Sequence, residues 1–182
     1  MEDKESVKRR IAQAASEIIS HNETVMIESG SLCAILAEEI AKSRRNVTVI
    51  TNSVSTANFL KSRMSVRIIL LGGEFQQASQ VMIGVLLKKC AANFHVDKLF
   101  LEADGFNELG AMSDDSMRAQ AVRDMAQGAR KIVILAESDD FNKEGTVPLL
   151  SYEEIDSIYT DNQISDTIIE KIQSKGVKIF LV

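Results

Sequence analysis

The feature that most constrains the fold is a repeated alternation between short apolar runs rich in β-branched residues and stretches with helical periodicity. The first run, 24–28, shows no polar alternation, which is typical of a strand covered on both faces. Similar runs follow at 47–51, 66–71, 98–103, 131–136, 157–160 and 177–182. Strand, helix and strand in this order favour parallel pairing with right-handed crossovers. The sequence therefore predicts an α/β fold with a mostly parallel sheet flanked by helices.

Helical spacing of apolar residues separates most of these runs. The segment 4–20 predicts an amphipathic helix with a solvated face that carries Lys8, Arg9 and Arg10. Further helices are predicted around Leu32 to Ile40 and over 85–94, 117–129 and 164–172. Pro148 is the single proline and no Gly/Ser-rich stretch marks a linker, so residues 1–182 are expected to form one domain.

Composition excludes several classes of protein. The formal net charge is −5, which argues against nucleic-acid binding by this chain alone, since such binding depends on clustered Lys and Arg. No apolar run approaches the roughly 20 residues that span a bilayer, and the first 20 residues are too charged for a signal peptide. Cys33 and Cys90 form no C-x-x-C pair. We therefore expect a cytoplasmic protein without a membrane span, a disulfide framework or a zinc–cysteine site.

Polar and glycine residues follow four consecutive strand-like runs. The first run leads into Ser29-Gly30-Ser31, which offers a flexible glycine, two hydroxyls and the amide donors of a helix N-terminus. The next runs end in the motifs 51–53, 72–74 and 102–105. Taken alone, each motif is explained at least as well by a helix cap or a turn as by a ligand site. Because the ends of parallel strands meet at one edge, together they predict a polar rim for a small hydroxylated ligand.

The sequence contains no motif for nucleotide binding, metal binding or cysteine nucleophile chemistry. The chain has neither G-x-G-x-x-G after its first strand nor a P-loop. His21 and His95 lie far apart and are expected at the surface, and Cys33 is expected to be a buried structural thiol. A general base is available only if some of the carboxylates after the strands converge, namely those of Glu28, Glu74, Glu102, Asp104 and Asp114.

Taken in order, these motifs resemble the effector-binding domain of the DeoR family of bacterial transcription regulators. The resemblance rests on segments 8–12, 28–31, 51–53, 70–74, 96–98, 103–105 and 156–161. It implies a fold like that of sugar-phosphate isomerases and coenzyme A transferases, and a sensor for phosphorylated sugars or related metabolites. It also implies a winged helix-turn-helix domain, absent here, that would bind DNA; the segment 1–10 looks like the end of a linker, so a fragment is expected.

The resemblance further implies a set of ligand-binding residues and no catalytic residue, and neither a metal nor a cofactor is expected. The hydroxyls, amides and glycines of the strand ends would contact the ligand, Glu74 would accept from its hydroxyls, and the stretch 110–113 would close the site. A homodimer or homotetramer is implied as well. The residues are Ser29, Gly30, Ser31, Thr51, Asn52, Ser53, Gly72, Gly73, Glu74, Asp104, Gly105 and Ser113.

Four positions depart from the family's pattern, and the first is Glu28, where many members carry an aspartate. Leu32 replaces a hydroxyl, Glu102 replaces a glycine, and Asp140 replaces a lysine, with Lys143 nearby as a possible substitute. An atypical or less anionic ligand is therefore expected. Two alternatives stay open: an isomerase-like enzyme, and an oligomerisation module whose pocket has decayed. For the latter, an apolar stripe is available that core packing explains equally well, formed by Met82, Val85, Leu86 and Leu87.

Overall fold

A parallel sheet forms the centre of the molecule. The computed structural model describes residues 3–43 and 46–182. Within these residues the strands are β1 (Thr24–Ile27), β2 (Val47–Thr51), β3 (Val66–Leu70), β4 (Glu74–Gln76), β5 (Val81–Ile83), β6 (Val96–Glu102), β7 (Gly105–Phe106), β8 (Gly110–Ser113), β9 (Ala129–Leu135), β10 (Val147–Ser151), β11 (Ser157–Thr160) and β12 (Lys178–Leu181). The helices of the same part are α1 (Lys4–Ser16), α2 (Ser31–Ser43), α3 (Val54–Leu60), α4 (Gly84–Ala91), α5 (Ser116–Ala126) and α6 (Asp166–Ser174), with short 3-10 helices at Ser138–Asn142 and Tyr152–Glu154.

Within the described ranges, seven strands form one sheet in the order β12-β11-β9-β6-β1-β2-β3, and all neighbours in it are parallel. This confirms the predicted α/β fold. Every strand-like run of the sequence is a strand of this sheet, with ends that differ by at most two residues. The helix predicted over 117–129 ends earlier, at Ala126, because Ala129 already begins β9.

Helices cover both faces of the sheet, which explains why β1, near its centre, shows no polar alternation. Val25 and Ile27 of β1 belong to a buried cluster with residues of α1 and α2, whereas Met26 belongs to a second cluster with residues of α4 and α5. Successive side chains of a strand point to opposite faces, so both sets must be apolar. Phe100 of β6 lies in the first cluster and is fully buried.

Short antiparallel strands were not predicted from the sequence. β4 and β5 form a hairpin, and β7, β8 and β10 form a separate sheet in the order β10-β8-β7. Most of these strands have two to four residues, and such lengths are too short to show a period. The hairpin follows β3 and the separate sheet begins after β6, so both lie at the carboxyl edge of the parallel sheet, where the polar motifs also lie.

None of the helices in the described part of the chain combines the length and apolar character that crossing a bilayer requires.

Candidate functional site

A polar cavity of about 530 Å3 lies at the carboxyl edge of the sheet, where β1 and β6 end. These neighbouring strands lie where the strand order reverses, since β2 and β3 lie on one side and β9, β11 and β12 on the other. Open parallel sheets commonly bind ligands in the crevice at such a reversal. The cavity is lined by Ser29, Gly30, Ser55, Ser79, Glu102, Asp104, Asp114, Asp115 and Arg118.

Arg118, in the first turn of α5, is the centre of an ionic network in this cavity. Its Nε donates to both carboxylate oxygens of Glu28 at 3.3 Å, and its Nη2 donates to Glu28 Oε2 at 2.9 Å. Its Nη1 donates to both carboxylate oxygens of Asp104 at 3.2 Å, and Nη2 donates to the Glu102 carbonyl at 2.7 Å. Glu28 is fully buried and Arg118 is only 8% exposed. All three guanidinium nitrogens are engaged, and they hold α5 against the ends of β1 and β6.

Local hydrogen bonds fix the position of this arginine. Asp115 is the N-cap of α5, and its Oδ1 accepts from the backbone N–H groups of Met117 at 2.9 Å and Arg118 at 3.1 Å. Asp104 Oδ2 also accepts from the Ser113 hydroxyl at 2.8 Å and from the Asp114 N–H at 2.9 Å. The cap and the Asp104 carboxylate therefore orient Arg118 before any ligand arrives.

A carboxylate from β6 lies at the start of α2. The Cys33 N–H donates to Glu102 Oε1 at 2.8 Å, and the Leu32 N–H also bonds this carboxylate. Gly30, just before the helix, has a φ of +124°, and a Cβ there would lie 2.1 Å from Glu102 Oε1. Only glycine therefore allows both this backbone conformation and the carboxylate that packs on it.

Burial and charge shift the pKa values of three groups here. Burial raises the pKa of Glu102 to about 7, although the Cys33 N–H and Arg118 favour its ionised form. Burial acts to lower the pKa of Arg118, but Glu28 and Asp104 outweigh it and raise that pKa. Burial, with the charges of Glu102 and Glu28, raises the pKa of the Cys33 thiol well above its ordinary value. Cys33 is thus buried, as the sequence predicts, and its raised pKa disfavours the nucleophilic thiolate.

Comparison with protein families decides what kind of domain this is. The family model described as DeoR C terminal sensor domain matches residues 3–162. The chain belongs to the DeoR C-terminal sensor domain family. This confirms the resemblance drawn from the strand-end motifs.

Relatives of this sensor domain are named as transcription regulators. A protein of Escherichia coli O157:H7, described as an aga operon transcriptional repressor, is 28% identical over 97% of this chain and 66% of its own length. The HTH-type transcriptional regulator GolR of Listeria innocua is 29% identical over 94% of this chain and 68% of its own length. The chain thus spans about two thirds of the length of these curated relatives.

Solved structures with the same fold come from other functional classes. Ribose 5 phosphate isomerase A from Neisseria gonorrhoeae matches 78% of this chain and 55% of its own, with a TM-score of 0.58 and 18% identity. A chain of the eIF2B-beta2-delta2 complex from C. thermophilum matches 85% of this chain and 54% of its own, with a TM-score of 0.61 and 15% identity. These likenesses confirm the expected isomerase-like fold of the sensor domain.

The structure brings three of the predicted binding residues together in the cavity, namely Ser29, Gly30 and Asp104. Ser113 supports this group because its hydroxyl donates to Asp104. Ser31 begins α2 at the rim, where its Oγ accepts from Lys8 Nζ at 3.0 Å. Gly105 is buried, and a Cβ there would lie 2.3 Å from the Lys143 carbonyl oxygen, so it packs on backbone.

The other predicted residues lie outside the cavity lining. Thr51, Asn52 and Ser53 are buried. Thr51 Oγ1 accepts from the Ser53 N–H, and Ser53 caps α3 by accepting from the Thr56 N–H at 3.1 Å. Asn52 Nδ2 donates to the Met82 carbonyl at 3.2 Å, and its Oδ1 is buried without a hydrogen-bond partner. A ligand role for these three residues stays a prediction.

The glycine pair Gly72 and Gly73 forms the turn from β3 into the β4–β5 hairpin. A Cβ at Gly73 would lie 2.6 Å from the Ile83 carbonyl oxygen, so close backbone packing explains this glycine. Glu74 begins β4, is exposed, and does not line the cavity. Ligand contacts by Gly72, Gly73 and Glu74 likewise stay predictions.

Three charged residues differ from their expected surroundings. Lys8 and Arg9 were expected on a solvated face, but α1 packs against α2, and Arg9 Nη1 bonds Glu39 Oε1 at 3.1 Å while Lys8 reaches Ser31. Asp140 was expected to repel a bound phosphate. It does not line the cavity, because its carboxylate accepts from the Glu137 N–H at 2.9 Å and from Lys143 Nζ at 2.7 Å.

Arg118, Ser55, Ser79 and Asp115 are cavity residues that the sequence reading missed. Ser55 lies in α3 and Ser79 in the loop of the β4–β5 hairpin, whose position depends on the tertiary fold. Arg118 did carry a signal. A cation in the first turn of a helix opposes the helix dipole, so its presence there indicates a carboxylate partner elsewhere in the fold.

Proposed function

We propose that this chain is the metabolite-sensing part of a transcription regulator and that its ligand binds in the cavity between β1 and β6. The observation that carries this proposal is the convergence of Ser29, Gly30, Glu102, Asp104 and Arg118 at the strand-order reversal of a DeoR sensor domain. DNA binding would belong to a helix-turn-helix domain attached to this chain, as the names and greater lengths of the relatives suggest.

The cavity is suited to transmit binding because it is assembled from separate elements. Ser29 and Gly30 precede α2, Ser55 lies in α3, Glu102 ends β6, and Arg118 lies in α5. A ligand that contacts several of them favours the arrangement that places them together. If the attached domain binds DNA differently in that arrangement, ligand and DNA affinities are coupled, and no bond has to be broken.

A homodimer or homotetramer is proposed as the assembly in which this coupling operates. The apolar stripe noted in the sequence divides in the structure: Leu87 is fully buried in the core, whereas Val85 is 70% and Leu86 is 61% exposed on α4. Val85 and Leu86 are available for association, and Leu87 is not.

A second candidate function is an isomerase-like enzyme. It is favoured by Glu102, because a carboxyl group with a pKa of about 7 in a cavity has the proton affinity that a general base needs. Against it, Arg118 has every nitrogen bonded to a protein acceptor, so it is not free to polarise a substrate carbonyl. Conversion of ribose 5-phosphate followed by NMR, with Glu102→Gln as the control, distinguishes this enzyme from a sensor.

A thermal-shift screen against sugars, sugar alcohols and their phosphates tests the sensor proposal. A ligand that binds only the folded chain stabilises it by about 2.7 kcal/mol at 100 times its Kd, which raises the Tm of a domain of this size by roughly 5–10 °C. We expect Asp104→Asn to abolish the shift. Asp97→Asn should keep it, because Asp97 lies at the opposite end of β6. No shift with any compound would favour the oligomerisation module.

A further inference from the structure

The start of α2 is the place where this fold would be expected to hold an anionic group of a ligand. Free N–H groups and the helix dipole make a helix N-terminus attractive to phosphate. Here the chain itself fills that position: the Glu102 carboxylate accepts from the Cys33 N–H at 2.8 Å and lies over the Cα of Gly30. A phosphoryl group can reach these donors only if Glu102 leaves.

The cations near the cavity already have carboxylate partners. Arg118 is bonded to Glu28 and Asp104. Lys8, whose Nζ reaches Ser31 at the rim of α2, lies 3.4 Å from Glu137 Oε1 and has a side chain only 25% exposed. A phosphate would therefore find no uncompensated positive charge at this end of the sheet among the cations named.

The described cavity lining is strongly acidic. It contains one cation, Arg118, against the carboxylates of Glu102, Asp104, Asp114 and Asp115. A dianionic phosphate placed there meets repulsion from several like charges in a partly desolvated site. Sugar hydroxyls have the opposite preference, because they donate hydrogen bonds to carboxylate oxygens and form stronger bonds when the acceptor is charged.

From this geometry we infer that Glu102 determines the ligand class of the sensor: it supplies the anion at the start of α2, so the effector is an uncharged polyhydroxylated compound whose hydroxyls donate to Glu102 and Asp104. The inference rests on the proposed function, because it concerns the ligand of the same cavity. It narrows the expected class of effector from phosphorylated sugars to unphosphorylated sugars or sugar alcohols.

Inorganic phosphate is the probe that tests the role of Glu102 without knowledge of the effector. Calorimetric titration at pH 8, where Glu102 with its pKa of about 7 is mostly ionised, compares wild type with Glu102→Gly, which removes the occupying carboxylate. Asp97→Asn is the matched control, since it removes one carboxylate from the other end of the same strand. We expect Glu102→Gly to bind phosphate at least tenfold more tightly than wild type and Asp97→Asn to bind it as wild type does. If circular dichroism shows that Glu102→Gly is unfolded, Glu102→Ala takes its place, because it also removes the carboxylate from the start of α2.

Two results would overturn the inference. One is a folded Glu102→Gly or Glu102→Ala variant that gains no affinity for phosphate. The other comes from thermal shifts of wild type with matched pairs of compounds, ribose with ribose 5-phosphate and glucitol with glucitol 6-phosphate. If the phosphorylated member of a pair raises the Tm more than its unphosphorylated partner does, phosphate displaces Glu102 and the inference is wrong. Failure of the sensor proposal is distinct, because then no compound stabilises wild type, whereas the phosphate titration of the variants still reports on Glu102.

Discussion

Replacement of Arg118 by alanine should be among the most destabilising single changes in the molecule. Arg118 supplies three contacts of 2.9–3.3 Å to Glu28, a carboxylate that is fully buried. Without it, Glu28 keeps the Ser29 hydroxyl at 2.8 Å as a donor but no opposite charge. Removal of one partner of a buried ion pair costs about 3–5 kcal/mol, because the remaining charge is left uncompensated. We therefore expect the free energy of unfolding to fall by about that amount.

A matched control separates burial from the mere loss of an arginine. Arg130 forms an ion pair with Asp97 at 3.2 Å, but the two side chains are 82% and 52% exposed. Exposed pairs contribute about 0–1 kcal/mol, so Arg130→Ala should change stability by no more than that. Urea denaturation followed by circular dichroism measures both variants.

The double variant Arg118→Met/Glu28→Gln keeps the test decisive if Arg118→Ala does not fold. It removes both charges, and we expect it to recover much of the lost stability. The reasoning is refuted if Arg118→Ala costs no more than Arg130→Ala. It is also refuted if the double variant is less stable than the single variant Arg118→Met, which leaves the Glu28 carboxylate without a partner charge.

Three further predictions concern the surroundings of the cavity. The pKa of Glu102 is about 7 in the folded chain and lower in the unfolded chain, so the folded state binds the proton more tightly. The free energy of unfolding should therefore fall by up to about 3 kcal/mol as pH rises from about 4.5 to 7. Urea titrations at each pH measure this, and Glu102→Gln should lack this part of the pH dependence. A thiol reagent should modify half-buried Cys90 in the native chain and buried Cys33 only after unfolding; fast modification in Cys90→Ser would contradict this. Leu36→Ala should cost about 2–5 kcal/mol and exposed Leu86→Ala close to none, and equal costs would refute the assigned core.

The parallel sheet could be predicted from the sequence because its physical cause is local. A strand covered on both faces shows no alternation of charged and apolar residues, and β1 (TVMI) and β2 (VTVIT) contain only β-branched and apolar residues. The polar edge followed from the same logic, since parallel strands end together. The hairpin of β4 and β5 and the strands β7, β8 and β10 could not be predicted, because their pairing is set by tertiary contacts.

The charge pattern of the cavity was predictable only in part. Glu102 stood out as a departure from the family's pattern, but its bond to the Cys33 N–H depends on the neighbouring positions of β1 and β6 in the sheet. Arg118 is 90 positions away from Glu28 in the chain, and no local pattern joins them. Long-range ion pairs of this kind require the fold to be known.

A crystal structure of the chain with the compound that raises its Tm most tests the central claim most directly. The account predicts density in the crevice between β1 and β6, with ligand hydroxyls bonded to Glu102 and Asp104 and with Glu102 still bonded to the Cys33 N–H. A ligand bound instead in the cavity beside α1, which Glu137, Ser138 and Asp161 line, or a phosphoryl group on the Cys33 N–H, would contradict it.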